Sequence, residues 1–430
     1  MAKKDSFNSV ETLPGDGSYA VFTTNTSHIF YETGRYSPIP LSKSLRIVPW
    51  GADNQMPYRI LDKCQADETL TTCQQFNIEA CYSGGLQIDY SGAEGDIPSH
   101  VGHFMQNNPL SAYFYGIISD FKYFGFCVTC FQLNKDGDEI VRIIRKEACN
   151  CRFSVANSNG RIETVVYGDF RDKIPGENEY EELPLLNPDS PLYDLRTRIQ
   201  QGTKKRKFAM ISRIPTVDST YYPIPVYGSL FRSRWYDYKQ IVTVAKLAKL
   251  KNSAPLKYHI EVSNNYWQNI FAREGITDRL KQMKRVAQEK ENIINFLTGA
   301  ENSGKALFSN FYVSPTGEEQ SEVKIRKIET QKEGGDWSEE MAEAINMMCF
   351  AMGVHSNLVG SVPGKAQTNN SGSDKRELYT IAQARQRAYH DMLLVPIRTL
   401  IAFNQWHNVW PHVPFLQLTT LDEHKDLNEQ

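Results

Sequence analysis

The sequence predicts an α+β fold, because helical and strand-like segments are both clearly present. Residues 57–82 have apolar side chains at helical spacing, and residues 229–252 form a run without Pro or Gly whose apolar positions recur three or four apart. The segments FGFCVTCFQL at 124–133 and IETVVYG at 162–168 are rich in β-branched and aromatic residues, which predicts strands.

The composition is that of an ordinary soluble globular protein. The 430 residues are 40% apolar and 23% charged, a length that allows roughly three average domains. The 48 basic and 50 acidic side chains leave a net charge of −2. Because coating nucleic acid requires a basic surface, this balance argues against such a role for the whole surface but leaves a local basic patch open.

The same features predict a protein of a reducing cytoplasm without a membrane span. No apolar run approaches the ~20 residues that cross a bilayer, and the N-terminal MAKKDSFNSV lacks the apolar core of a secretory signal. The 8 cysteines are irregularly spaced, unlike those of a disulfide scaffold.

The order of segments predicts a small insert between two long helices. Pro396 lies inside a further helix, where it would remove a backbone hydrogen bond and bend the axis. The predicted boundaries are 1–40 for a polar N-terminal arm, 41–226 for an α+β domain, 227–252 for the first long helix, 253–335 for the insert, 336–353 for the second, 354–373 for a loop, 374–405 for the helix with Pro396, and 406–430 for a C-terminal strand and tail.

Local patterns give further expectations. The proline-rich, charged segment 171–206 predicts a long surface excursion. In the insert, Thr277 is expected to cap a helix over 277–290. Strands are expected at three segments that contain β-forming residues, namely 293–297 (IINFL), 306–313 and 323–328.

The segment TGAENSGKAL at 298–307 matches the spacing of a phosphate-binding loop through Gly299, Gly304 and Lys305. Such a loop needs a preceding strand, a Ser or Thr after the Lys, and a following helix. The predicted strand 293–297 meets the first condition, but Ala306 and the strand-like LFSNFYV fail the others. We therefore expect a turn between two strands and no nucleotide site.

Metal and catalytic sites are not expected either. CVTC at 127–130 and CNC at 149–151 could supply thiolates to zinc, but an odd offset along a strand directs Cys127 and Cys130 to opposite faces. Buried free thiols are the favoured interpretation. No Gly-x-Ser-x-Gly elbow is present, and we predict no catalytic residue, metal or cofactor.

Several ordered blocks resemble the portal proteins of tailed bacteriophages. The segment YYPIPVYGSLFRSRWYDYKQIVTVAKLAKLKNSAPLKYHI resembles the stem helix of that family and its exit into a strand. IETQKEGGDWSEEMAEAINMMCFAMGVHSNLVG and SGSDKRELYTIAQARQRAYHDMLLVPIRTLIAFN resemble the next two blocks, including the Leu-x-Pro kink. The resemblance covers about residues 220–405, and IVPWGADNQMPYRIL looks like the family's lead-in. Little follows the last helix, so a helical crown is expected to be absent or minimal.

The resemblance implies a portal-type subunit with an α+β wing domain (41–226), two stem helices, a small α/β clip domain (253–335), a tunnel loop (354–373) and a proline-kinked channel helix. It implies a homo-oligomeric ring, typically of twelve subunits, at one capsid vertex of a virion assembled in the bacterial cytoplasm. Double-stranded DNA would pass through the ring without sequence readout during packaging and ejection. Implied protein partners are the large terminase, the major capsid protein and a head-tail adaptor, with no membrane.

Basic residues on the first stem helix and beside the loop would line such a channel. The expected lining residues are Lys239, Lys246, Lys249, Lys251, Lys365, Lys375 and Arg376. The expected tunnel-loop residues are Gly360, Ser361, Gly364, Gln367, Asn369, Asn370 and Ser371. Lysines on a helix also commonly cover a solvated face, and that alternative stays open. Two alternatives to a portal also stay open, namely a monomeric capsid-associated adaptor or scaffold and a nucleotide-dependent enzyme.

Overall fold

The computed structural model describes residues 10–11, 21–22, 36–91, 97–215, 221–252, 258–298, 311–313, 319–321, 323–327, 337–360 and 372–418. The chain divides into two compact units. The first is Met1–Thr243 with Ser338–Gln430, and the second is Val244–Trp337. Among the described helices, none combines the length and apolarity that a bilayer crossing requires.

Helices and strands are both abundant, as the sequence predicts for an α+β fold. The strands of the described residues are β1 (Val10–Glu11), β2 (Val21–Phe22), β3 (Ile39–Pro40), β4 (Arg46–Val48), β5 (Gln87–Tyr90), β6 (Phe126–Leu133), β7 (Ile140–Lys146), β8 (Cys151–Ser154), β9 (Thr164–Gly168), β10 (Tyr180–Pro184), β11 (Lys207–Arg213), β12 (Tyr258–Val262), β13 (Phe311–Val313), β14 (Glu319–Ser321), β15 (Val323–Lys327) and β16 (Val409–His412).

The helices alternate irregularly with these strands. In the same described residues they are α1 (Met56–Ala66), α2 (Glu68–Tyr82), α3 (Ser99–Asn107), α4 (Leu110–Phe124), α5 (Pro191–Gln200), α6 (Ser229–Arg232), α7 (Trp235–Asn252), α8 (Asn264–Glu274), α9 (Arg279–Thr298), α10 (Trp337–Met352), α11 (Ser356–Val359), α12 (Gly372–Ala384), α13 (Arg387–Leu393) and α14 (Val395–Phe403).

Antiparallel sheets organise the first unit. One sheet has the strand order β10-β9-β8-β4-β3 and another the order β11-β6-β7. Near the C-terminus, β16 pairs with β5, which joins the end of the chain to its early part.

Strand β6 lies between the two largest apolar cores of the first unit. Cys127 and Phe131 belong to one core, whereas Val128 and Cys130 belong to the other. This alternation follows from the two-residue period of a strand. Both thiols are buried and free, which confirms the interpretation of CVTC as core residues on opposite faces.

The segment 171–206 lies largely at the surface, as expected, and it contains two regular elements, β10 and α5. Two of its four prolines occupy positions that regular elements tolerate. Pro184 ends β10, which is an edge strand, and Pro191 lies in the first turn of α5.

The second unit contains two antiparallel strand pairs, β12 with β15 and β13 with β14, together with α8 and α9. Arg285 of α9 bonds Glu274 of α8 at 2.9 Å and Glu289 at 2.7 Å. The expected strand at 293–297 is wrong, because α9 continues to Thr298. Helix α8 was not predicted.

A helix therefore precedes Gly299, so even the first requirement of a phosphate-binding loop is not met. Gly299, Gly304, Lys305 and Ala306 themselves lie outside the described residues.

The predicted single helix over 229–252 is interrupted. Helix α6 ends at Arg232, and Arg234 has a φ of 65° before α7 begins at Trp235. Left-handed backbone cannot continue a right-handed helix. Neither Gly nor Pro marks this break in the sequence.

The last helical segment is also divided. Helix α13 ends at Leu393, and Pro396 lies in the first turn of α14, where its missing N–H is tolerated. A second break separates α12 from α13, where the Gln386 amide donates to the Gln383 carbonyl at 2.8 Å. That earlier break was not predicted.

Candidate functional surfaces

Lys239 does not face a channel, and its assignment as a lining residue is corrected. Its side chain is only 2% exposed. The ammonium Nζ lies 2.9 Å from Asp67 Oδ2, 2.8 Å from Thr69 Oγ1 and 2.8 Å from Glu68 Oε1. A lysine needs such partners to be buried while charged, because burial of an unpaired ammonium is very costly. Sequence spacing alone could not distinguish this lysine from its neighbours.

The junction of α1 and α2 supplies the partners of Lys239. Asp67 caps α2, since its Oδ1 accepts from the amides of Thr69 and Leu70 at 3.0 Å each. Its Oδ2 accepts from Lys239 and from Gln240 Nε2 at 3.0 Å. The hydrogen bond from Lys239 lowers the pKa of the Glu68 carboxyl. The start of α7 is thus fixed to the first unit by a hydrogen-bonded ionic cluster.

The other predicted cationic residues differ in exposure, and some of them lie outside the described residues. Lys246 on α7 and Lys375 on α12 are exposed, and Arg376 is half-buried. The backbone of Lys249 and Lys251 belongs to α7, and the side chains of these two residues are not among those described. Lys365 and the predicted loop residues Ser361, Gly364, Gln367, Asn369, Asn370 and Ser371 lie outside the described residues. Gly360 is described and has a φ of 122°.

Helix α7 has an exposed apolar face. Ile241, Val244 and Leu247 follow one another at intervals of three and are 46%, 57% and 51% exposed. Lys239 and Val242, in contrast, are buried. Helical geometry places the three exposed residues away from the buried side of the helix. A row of large apolar side chains in water is typical of an interaction surface.

Helix α10 also carries a large exposed apolar side chain. The apolar residues of this helix recur three or four positions apart in a stripe, and two of them, Met348 and Met352, are buried. Phe350 points elsewhere and is 80% exposed. The sequence analysis did not single out Phe350, because it is out of phase with the stripe. The sequence did contain a sign of this exposure, because Phe350 is a bulky apolar residue on the polar side of an amphipathic helix.

No group of His, Cys, Asp and Glu side chains within the described part of the chain could hold a metal ion. The expected absence of metal and cofactor stays a prediction.

Solved structures with the same fold come from gene transfer agent (GTA) particles. A chain from the neck of an empty GTA particle computed with C6 symmetry is 14% identical, with a TM-score of 0.57, over 91% of this chain and 90% of that one. A chain from the virion of a native gene transfer agent (GTA) particle is 12% identical, with a TM-score of 0.56, over 92% and 91%. A chain from the neck of a native GTA particle computed with C12 symmetry is 14% identical, with a TM-score of 0.54, over 90% and 91%.

No family model matches the sequence, and no curated protein matches it. The structural likeness extends over nine tenths of each chain, so it concerns the whole fold and not one common motif. At this level of identity the likeness shows the fold. The chain has the same fold as these chains of gene transfer agent particles.

Proposed function

We propose that this chain is a portal protein, which forms a ring-shaped DNA channel at one vertex of a phage or phage-like capsid. The observation on which the proposal rests is the likeness along nearly the entire chain to proteins of particle necks computed with C6 and C12 symmetry. Such symmetry belongs to rings of repeated subunits. We propose twelve copies in the ring.

The exposed apolar face of α7 supports a ring. Ile241, Val244 and Leu247 lose contact with water if the same helix of a neighbouring subunit, or another apolar surface of it, covers them. In a cyclic assembly, a face of one subunit meets a different face of the next, and the ring closes both. Phe350 provides a second apolar contact for the same purpose.

The proposed channel holds DNA through phosphate contacts. Lys246, Lys249 and Lys251 on α7, together with Lys365, Lys375 and Arg376, would each be repeated around the ring as a belt of positive charge. Contacts of this kind position a duplex without reading its bases. The loop 361–371 and Gly360 would border the duplex. The near-neutral chain suits a channel through which DNA must slide, because many cations would hold it in place.

The proposed role is structural. During assembly the ring docks the large terminase, contacts the major capsid protein and later binds a head-tail adaptor. Packaging and ejection both pass through the same channel, and the protein itself catalyses no reaction.

A packaging experiment tests this proposal. Particles are produced with and without the chain, and nuclease-resistant genomes are counted. We expect capsids without resistant DNA when the chain is missing, and recovery when it is supplied in trans. Normal genome counts in its absence would overturn the proposed function.

A further inference from the structure

Two buried cysteines from distant parts of the chain lie in contact. Cys73 Sγ on α2 and Cys349 Sγ on α10 are 3.7 Å apart, and the side chains are 0% and 2% exposed. The contact joins residues separated by 276 positions. The other cysteines, all described, make no such contact with a second thiol among the described residues.

The local electrostatics make the two thiols unequal. The hydrogen bond between the two thiols lowers the pKa of Cys349 and raises the pKa of Cys73. The buried ammonium of Lys239 favours the thiolate form of both cysteines. Thiolates are the reactive form of cysteine. The geometry thus provides one activated sulfur with a second sulfur directly beside it.

We propose that Cys73 and Cys349 are a redox modification site that closes to a disulfide when the protein meets a peroxide. A disulfide needs the sulfurs about 2.0 Å apart. Side-chain rotation and a small shift of α2 against α10 can supply the remaining approach. The disulfide would covalently tie α10, which follows the second unit in the chain, to α2, which precedes it.

The chemistry balances with hydrogen peroxide as the oxidant. The Cys349 thiolate attacks one peroxide oxygen, the O–O bond breaks, and Cys349 becomes a sulfenic acid while hydroxide takes up a proton and leaves as water. The Cys73 sulfur then attacks the sulfenic sulfur. The S–S bond forms, the S–O bond breaks, and a second water leaves with the Cys73 proton. A dithiol reductant reverses the product.

A virion component passes from a reducing cytoplasm to an oxidising exterior. On that basis, which rests on the proposed function, the dithiol form belongs to assembly and the disulfide form to the released particle. The oxidation itself requires the contact between the two sulfurs and access of peroxide to Cys349 but no ring, so it can be measured whether or not rings form.

The test uses the purified full-length chain, treated with hydrogen peroxide or with dithiothreitol, alkylated under denaturing conditions and mapped by mass spectrometry. We expect the peroxide sample to lose two alkylatable thiols and to yield one peptide pair that links Cys73 to Cys349. The pair should disappear on reduction. Cys81→Ser, which removes another buried thiol of α2, should leave the link intact.

Cys73→Ser and Cys349→Ser should each abolish the linked peptide. The wild-type protein should unfold at a higher temperature after oxidation than before it, and Cys349→Ser should show no such rise. Eight alkylatable thiols remaining in peroxide-treated folded wild type, or links between other cysteines in place of this one, would overturn the proposal. Neither result bears on ring formation, which is measured separately.

Discussion

Lys239 Nζ on α7 and Asp67 Oδ2 at the start of α2 lie 2.9 Å apart, and both side chains are shielded from water. The contact connects the base of a long helix to a helix N-terminus far away in sequence. Lys246, seven residues further along α7, is exposed. One helix therefore uses chemically identical side chains for two purposes, anchoring at its base and surface charge beyond it.

Replacing Lys239 by Ala should strongly destabilise the first unit. Removing one partner of a buried ion pair leaves an uncompensated charge, which typically costs about 3–5 kcal/mol. We expect a clear fall in the temperature of the unfolding transition of the first unit, measured by calorimetry. Lys246→Ala on the same helix is the matched control and should change stability by less than about 0.5 kcal/mol. Equal effects of the two variants would refute the anchoring role.

Polar substitutions on the exposed face of α7 should prevent association. The test variant combines Ile241→Ser, Val244→Ser and Leu247→Ser. Each of these aliphatic side chains is about half exposed, so about half of its burial remains to be gained on association. Each substitution should therefore remove roughly 1 kcal/mol of association free energy at each subunit contact. The summed loss of about 3 kcal/mol weakens each contact by roughly 100-fold. Light scattering should report monomers, and Lys246→Gln should assemble normally. Rings formed by the triple variant would exclude this face from the interface.

Removal of the exposed cations should weaken DNA retention without affecting assembly. We expect Lys246→Gln, Lys375→Gln to form rings that release duplex DNA at lower salt, because each lost phosphate contact reduces the log–log salt slope by about 0.9. Filter binding over a salt series measures the slope. Lys135→Gln, which removes an exposed lysine of a loop between β6 and β7, should leave it unchanged. A slope unaffected by the double variant would contradict the proposed lining.

Acid should destabilise the first unit through His390. Burial lowers the pKa of this imidazole, whose Nε2 lies 2.6 Å from the Cys81 carbonyl oxygen. The unfolded chain therefore binds a proton more readily, near pH 6.5, and stability is full above that pH and decreases as pH falls below it.

Because His390 binds a single proton, it can lower the free energy of unfolding by at most about 1.4 kcal/mol per pH unit. Denaturant titrations at pH 7.5 and 5.5 should show a smaller decrease in stability for His390→Gln, which keeps a donor for the Cys81 carbonyl but does not titrate. The same decrease in both proteins would show that other groups control the acid response.

Sequence patterns predicted those elements in which local preference and tertiary packing agree. The run at 124–133 became β6 because a strand between two cores needs apolar residues on both faces. A strand was predicted at 293–297, but these β-forming residues continue helix α9. Ile293 lies seven positions after Val286, which places both residues on the same side of that helix. There the helical period of the longer segment outweighed local propensity.

The candidate surfaces were less predictable than the fold. Whether a lysine is buried depends on a carboxylate brought to it from elsewhere in the chain, as Asp67 is brought to Lys239, and no local spacing contains that information. The exposure of Val244, Leu247 and Phe350 likewise depends on whether other segments of the folded chain pack against them. The periodicity predicted that these helices are amphipathic, and only the tertiary structure identified the uncovered side chains.

Electron microscopy of the purified protein, combined with native mass spectrometry, tests the central claim most directly. The account predicts closed rings with a central hole, whose mass corresponds to twelve copies of the 49.1 kDa subunit. A homogeneous monomer under assembly conditions, stable although the apolar face of α7 is exposed to water, would contradict it.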